Sequence, residues 1–193
     1  MLVRDTPGAA NSQYSRTLSE LRLDEMIDLV DGLTAAPSLD EVVLWFSRTS
    51  LRYRDYERYR LFSEHNYARN LIARSSFAEL LLLCWQPGQR TPIHDHGGCV
   101  GVVLVCEGMM TETMYEHAPE GNVRPYSTFR RGAGAVTGAD VPDIHQLLNL
   151  EPEGQMVTLH CYAPPLSVLN TYSQRSRVVG HWREMYFSGG AGI

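Results

Sequence analysis

Lysine is absent from this chain: all 17 basic residues among its 193 are arginine. That excludes catalysis through a lysine Schiff base and phosphate binding by a P-loop lysine. Positive charge is in short supply overall. A formal net charge of -5 and a pI near 5.8 argue against a protein held mainly to nucleic-acid phosphates or to anionic lipid. Long apolar runs are missing too, since stretches such as Leu80-Leu81-Leu82-Leu83 stop far short of the roughly 20 residues that span a bilayer. The opening Met1-Leu2-Val3-Arg4-Asp5 has no apolar stretch of the secretory type. Cysteine is sparse, and Cys84, Cys99, Cys106 and Cys161 lie in or beside apolar runs without forming a CxxC pair. These absences predict a reduced, cytoplasmic protein, a monomer or weak homo-oligomer, that engages neither nucleic acid nor membrane.

At 44% hydrophobic and 20% charged, the chain is too apolar to be disordered. Its length predicts one domain over residues 1–193. Residues 1–65 read as a mainly helical extension. Thr17-x-x-Glu20 and Ser38-x-x-Glu41 fit capping boxes, and Leu21, Leu23, Met26, Ile27, Val30 and then Leu39, Val42, Val43, Phe46 follow helical spacing. Pro37 separates the two helices. Between Arg48 and Arg60, arginines interleave with Tyr53, Tyr56 and Tyr59, a texture seen on nucleic-acid surfaces. Asp55 and Glu57 within it favour a solvated helical face that packs its tyrosines on the rest of the domain.

Residues 66–193 change texture to short apolar or alternating runs punctuated by Gly and Pro. Strands are predicted at Phe77-Trp85, Val100-Cys106, Met109-Tyr115, Arg124-Phe129, Ala133-Thr137, Ile144-Leu150, Met156-Tyr162 and Val178-Phe187. Many short strands at regular spacing imply a mainly β sandwich or barrel.

The chemistry concentrates in Pro92-Ile93-His94-Asp95-His96-Gly97-Gly98. On an extended strand, residues i and i+2 share a face, so His94 and His96 aim at one point while Asp95 faces away. Alone, an HxH pair is also compatible with two surface histidines. A third candidate, His145, lies on a later β-type segment, and three neutral imidazoles suit zinc, copper or ferrous iron. Strict alternation likewise puts Thr158, His160 and Tyr162 on one face of their strand, which fits either a satisfied polar network in the core or a relay within a site. His65, His117 and His181 lack partners at ligand spacing. Cys84, Cys106 and Cys161 read as small buried hydrophobes. A Cys99–histidine hydrolase is conceivable, but it would draw on the same histidines.

Gly88, His94-x-His96, Gly101 and Gly108 follow the spacing of the first cupin motif, with Gly101 where cupins carry Glu. His145-x-x-x-Asn149 matches the end of the second. Five further stretches narrow the likeness: Tyr67-Ala68-Arg69-Asn70-Leu71, Leu83-Cys84-Trp85, His94-Asp95-His96, His145, and Thr158-Leu159-His160-Cys161-Tyr162-Ala163-Pro164-Pro165. In this order and spacing the chain resembles the thiol dioxygenases of the cupin superfamily, specifically the cysteine dioxygenases.

The resemblance implies a cupin-type β-barrel (jelly roll) with N-terminal helices and a lumen that holds Fe(II) on His94, His96 and His145. It implies oxidation of a small thiol, L-cysteine, by O2 to cysteine sulfinate. Arg69 and Tyr67 would meet the substrate carboxylate, and Tyr162 would be oriented by His160 and Thr158. Related enzymes acting on 3-mercaptopropionate carry Gln at the position of Arg69. Animal relatives carry at Gly101 a cysteine cross-linked to the tyrosine, so no cross-link to Tyr162 is expected here. The family also implies a cis Ala163-Pro164 bond. Another small thiol carboxylate, or a cupin binding metal for a non-oxygenase purpose, remains an alternative.

Overall fold

Ser38 and Glu41 close a reciprocal cap: the Ser38 hydroxyl accepts from the Glu41 N–H at 3.4 Å, and the Glu41 carboxylate accepts from the Ser38 N–H at 2.8 Å. This starts helix α2 (Leu39–Ser47) where the spacing predicts it. The preceding helix, α1 (Leu23–Asp31), begins after the other predicted cap, and Glu25 rather than Glu20 turns back to accept from the Arg22 N–H at 2.8 Å. Thr17 lies outside the described residues, which in this computed structural model are 20–139, 144–183 and 185–186. Both helices bury one stripe, Leu23, Met26 and Val30 on α1 and Val42 and Phe46 on α2. A short turn of helix, α3 (Tyr53–Tyr56), follows.

The rest is β: β1 (Ala68–Arg74), β2 (Glu79–Trp85), β3 (Ile93–Asp95), β4 (Val100–Glu107), β5 (Met109–His117), β6 (Val123–Gly132), β7 (Val136–Ala139), β8 (Ile144–Leu148), β9 (Met156–Ala163), β10 (Val168–Tyr172) and β11 (Gly180–Arg183). These form two antiparallel sheets, ordered β1-β2-β9-β4-β7 and β11-β10-β3-β8-β5-β6. The architecture is the expected cupin-type jelly roll, as two facing sheets rather than one closed cylinder. Strands β1 and β10 were not among the predicted strands. β7 starts three residues later than predicted, because Gly134 takes a left-handed conformation (φ 88°) in the turn before it.

Alternation decides which side chains reach the space between the sheets. On β2 and β9, Leu80, Leu82, Cys84, Val157, Leu159 and Cys161 face outward and join the helical stripes. Leu81, Leu83, Trp85, Met156 and Tyr162 face inward and meet Met110, Leu147 and Leu169 of the second sheet. Both faces of β2 and β9 are therefore covered, and every residue of each strand is buried. Gly108 makes the β4–β5 turn at φ 80°, where a Cβ would sit 2.7 Å from the Gln155 carbonyl oxygen.

Loss of the α2 cap in Ser38→Ala should cost about 1 kcal/mol. Phe46→Ala, which opens a cavity under the same helix, should cost about 3–5 kcal/mol. Denaturant unfolding of the two variants against the parent checks both values and their order.

Candidate metal centre

Strand β3 delivers the HxH pair as alternation requires. His94 pairs in register with His145 of β8. His96 follows directly, and all three histidines are 3% exposed. One ring nitrogen of each lies within 4.8 Å of the other two. The ring centroids are 5.3 Å (His94–His96), 4.7 Å (His94–His145) and 4.8 Å (His96–His145) apart. Asp95 points the other way and braces the following turn. It accepts from Gly97 N at 2.9 Å, from Asn170 Nδ2 at 3.1 Å and from the Tyr172 hydroxyl at 2.6 Å.

The partners behind the histidines fix which nitrogen carries hydrogen. His94 Nδ1 donates to the Pro92 carbonyl at 2.9 Å, and His145 Nδ1 donates to Glu112 Oε1 at 3.0 Å. Glu112 is itself held by Arg131, Nη2 to Oε2, at 3.2 Å. In both rings Nε2 is thereby the lone-pair nitrogen. Burial, then the neighbouring His145 and His96, hold the His94 pKa well below its usual value, so the ring stays neutral. Imidazoles oriented from behind by a carbonyl and a carboxylate are the donor set of a non-heme divalent metal site, and these residues fit one. Gly101 contributes no ligand. A Cβ there would lie 3.2 Å from His96 Cε1 and 3.3 Å from Tyr162 Cε1.

The row on β9 forms a continuous hydrogen-bond line. Trp85 Nε1 donates to Thr158 Oγ1 at 2.9 Å, Thr158 Oγ1 lies 2.7 Å from His160 Nε2, and His160 Nδ1 lies 3.0 Å from the Tyr162 oxygen. The indole can only donate, and neutral His160 carries one hydrogen, so the line runs in one of two senses: Thr158 donates to Nε2 and Nδ1 to the phenol, or the phenol donates to Nδ1 and Nε2 to Thr158. Burial, and after it the charge of Arg69, keeps His160 neutral by pushing its pKa well below the usual range. Tyr162 then sits between the groups, its ring 5.5 Å from that of His96 and 5.7 Å from the Arg69 guanidinium carbon.

Arg69 is buried on β1, and Tyr67 stacks on Trp85 with centroids 4.5 Å apart. Arg69 is paired with Glu79, Nη2 to Oε1, at 3.2 Å. Sequence reading missed Glu79, Glu112 and the anchoring role of Trp85. A signal existed for both acids: Glu79 is in phase with Leu81, Leu83 and Trp85, and Glu112 with Met110 and Met114, so each carboxylate occupies the face alternation assigns to the core.

The other candidates fall outside the site. His65, His117 and His181 are exposed, and His94, His96 and His145 alone form a metal-competent trio among the described residues. Burial pushes the Cys84 and Cys161 thiols up to about 12, and burial and Glu79 raise that of Cys99, so in each the thiol is favoured over the thiolate a nucleophile needs. In the arginine–tyrosine segment, Tyr56 packs into the core and donates to Glu107 at 2.9 Å, and Arg60 pairs with Glu107 at 3.1 Å, while Tyr53 stays exposed. Ala163–Pro164 is cis, as expected. No helix among the described residues is long and apolar enough to cross a membrane.

Fold and site together define a cupin-type jelly roll with three histidines placed to hold a metal ion. The chain belongs to the cysteine dioxygenase type I family, whose model matches residues 11–175. It is 26% identical over 128 residues to cysteine dioxygenase type 1 of Danio rerio, covering 63% of each chain. To that of Homo sapiens it is 25% identical over 126 residues, again 63% of each. The chain thus spans about 63% of the length of the curated relatives it matches. Solved structures with a similar course include the TT1209 protein of Thermus thermophilus, at 20% identity and a TM-score of 0.49 over 57% of this chain and 95% of that one. An RmlC-like cupin protein of Desulfovibrio desulfuricans aligns at 21% identity and a TM-score of 0.41, over 54% of this chain and 89% of that one.

Replacing His94, His96 or His145 with Ala should abolish stoichiometric metal uptake and leave the circular dichroism spectrum unchanged. Glu112→Gln, which keeps the shape but weakens the pull on His145, should lower metal affinity by about 10–100-fold. Metal analysis after anaerobic Fe(II) reconstitution reads both. Full iron retention in a histidine variant would remove that residue from the site.

Proposed function

We propose that this protein is an Fe(II)-dependent thiol dioxygenase that converts L-cysteine and O2 to cysteine sulfinate in a reducing, cytoplasmic setting. The observation that carries the reading is the adjacency of two systems in one lumen: three buried imidazoles and a phenol held by the Thr158–His160 line. The balance closes without a further reductant, because the thiol sulfur supplies the four electrons that O2 takes up and both oxygen atoms end on sulfur. Ferrous iron held by His94, His96 and His145 would supply open positions for a thiolate and O2 and lower the thiol pKa from about 8.5.

The chain's own residues do the rest. Among the described residues the trio has three histidines and no carboxylate, which would leave the ion's charge undiminished and favour a ligand that brings its own anion. Arg69 supplies the guanidinium for the substrate carboxylate, with the Tyr67 ring held beside it by Trp85. The contact to His160 Nδ1 at 3.0 Å holds the Tyr162 oxygen in place beside the substrate. Leu81, Leu83, Val103 and Leu147 exclude water and strengthen each of these contacts. The neighbouring reading, a dioxygenase of another thiol carboxylate such as 3-mercaptopropionate, uses the same groups. The test is anaerobic Fe(II) loading followed by O2 uptake and product analysis with a panel of small thiols. No uptake with any thiol, despite full iron, would overturn both readings.

Arg69→Ala should lower kcat/KM for cysteine by about 10² or more, since truncating one partner of a desolvated charge pair costs roughly 2–5 kcal/mol. Cysteamine, which lacks the carboxylate, should lose little. Because the same substitution strands Glu79, thermal unfolding is measured beside it. The double variant Arg69→Gln/Glu79→Gln, which replaces the ion pair by a neutral pair, separates binding from stability.

Tyr162 should carry no thioether. Gly101 pairs in register with Tyr162 and is the residue against its ring, whereas Cys99 lies two residues earlier. Peptide mass spectrometry of enzyme that has turned over should show both Cys99 and Tyr162 unmodified. A loss of two hydrogens shared between them would contradict this.

A further inference from the structure

The carboxylate subsite proposed for Arg69 already contains a carboxylate. Glu79 is fully buried, and both of its oxygens act as acceptors. Oε1 takes Arg69 Nη2 at 3.2 Å and the Leu166 N–H at 3.1 Å, and Oε2 takes the Tyr186 hydroxyl at 2.6 Å. Tyr186 is in turn contacted by Arg74 from outside. Burial and the hydrogen bond to Glu79 push the Tyr186 phenol up to about 12, so it remains a donor. A buried carboxylate with this many donors persists as an acceptor, and its charge opposes that of Arg69 wherever a ligand approaches.

Resting on the thiol dioxygenase reading, we propose that Glu79 is a specificity-determining residue that tempers Arg69: it admits a small thiol with one carboxylate and rejects one with two. The planar guanidinium reads the shape of a carboxylate as well as its charge. Glu79 offsets the charge of Arg69, so a second carboxylate gains less from this guanidinium in a low-dielectric lumen. A purely supporting role for Glu79 makes the opposite forecast. If it only holds Arg69 in place, its loss weakens carboxylate ligands relative to ligands without one.

The experiment is a charge ladder measured as anaerobic binding to the iron-loaded protein, with cysteamine, cysteine and mercaptosuccinate carrying none, one and two carboxylates. In Glu79→Gln, affinity for cysteine relative to cysteamine should rise about tenfold, and mercaptosuccinate relative to cysteine should rise similarly, each about 1.4 kcal/mol. Glu79→Asp, which restores the charge, should return both ratios toward the parent values. Unchanged or falling ratios in Glu79→Gln overturn the proposal. Should that variant not fold, the parent protein decides: it must bind mercaptosuccinate at least tenfold more weakly than cysteine, and equal or tighter binding overturns the proposal. Aerobic turnover is read separately. A parent that oxidises no thiol defeats the functional reading, while the ladder, which needs no turnover, still judges Glu79.

Discussion

Strand β9 is buried from Met156 to Ala163, and most of the site follows from that burial. A strand covered on both faces has to devote one face to apolar packing, which Val157, Leu159 and Cys161 do beneath the helices. Its other face can hold polar groups only if each is paired, because an unpaired buried donor or acceptor costs on the order of 1–3 kcal/mol. Thr158, His160 and Tyr162 meet this condition by bonding one another in line, with Trp85 closing the far end. The line holds the Tyr162 phenol oxygen in a fixed position at its end. Packing on one side of a strand and chemistry on the other are thus set by the same alternation.

The same demand for pairing shapes the metal centre. Imidazole has two nitrogens, and a ligand histidine in a dry interior must dispose of the hydrogen on the one that does not bind. His94 does so on the carbonyl of Pro92, two residues back along the chain. His145 uses Glu112, from the neighbouring strand β5. Glu112 in turn brings Arg131. Each buried group therefore recruits the next until the chain of partners reaches the half-buried edge of the sheet.

What the sequence revealed divides along the range of the interaction. Features set within a few residues were legible: the Ser38–Glu41 cap, the common face of His94 and His96, and the row from Thr158 to Tyr162. The convergence of His145 on that pair was legible only as a compatible histidine on a later segment, since the β3–β8 register is a property of the whole sheet. β1 escaped as a strand because it ends in Ile72-Ala73-Arg74 after a register shift, which breaks the alternation. β10 escaped because Val168-Leu169-Asn170-Thr171-Tyr172 mixes polar and apolar residues and leaves neither face cleanly apolar. The two acids were visible as charges in core phase, but their partners are Arg69, ten residues away on another strand, and His145, thirty-three residues away. A single sequence names such an anomaly without naming what satisfies it.

Arginine is the only cation this chain has besides histidine, and two arginines that bear on the site each arrive with a glutamate. Arg131 is held by Glu112, and Arg69 is paired with Glu79. Around the three histidines each of these arginines thus faces a glutamate. That balance matters for a buried site that must stay folded while empty: an isolated guanidinium in a dry core costs several kcal/mol, whereas a pair with additional hydrogen bonds is tolerable. Under the proposed function, a metal ion and a thiol carboxylate would enter a setting in which the charge of Arg69 is already offset by Glu79, so the planar shape of the guanidinium weighs beside its charge in choosing between ligands.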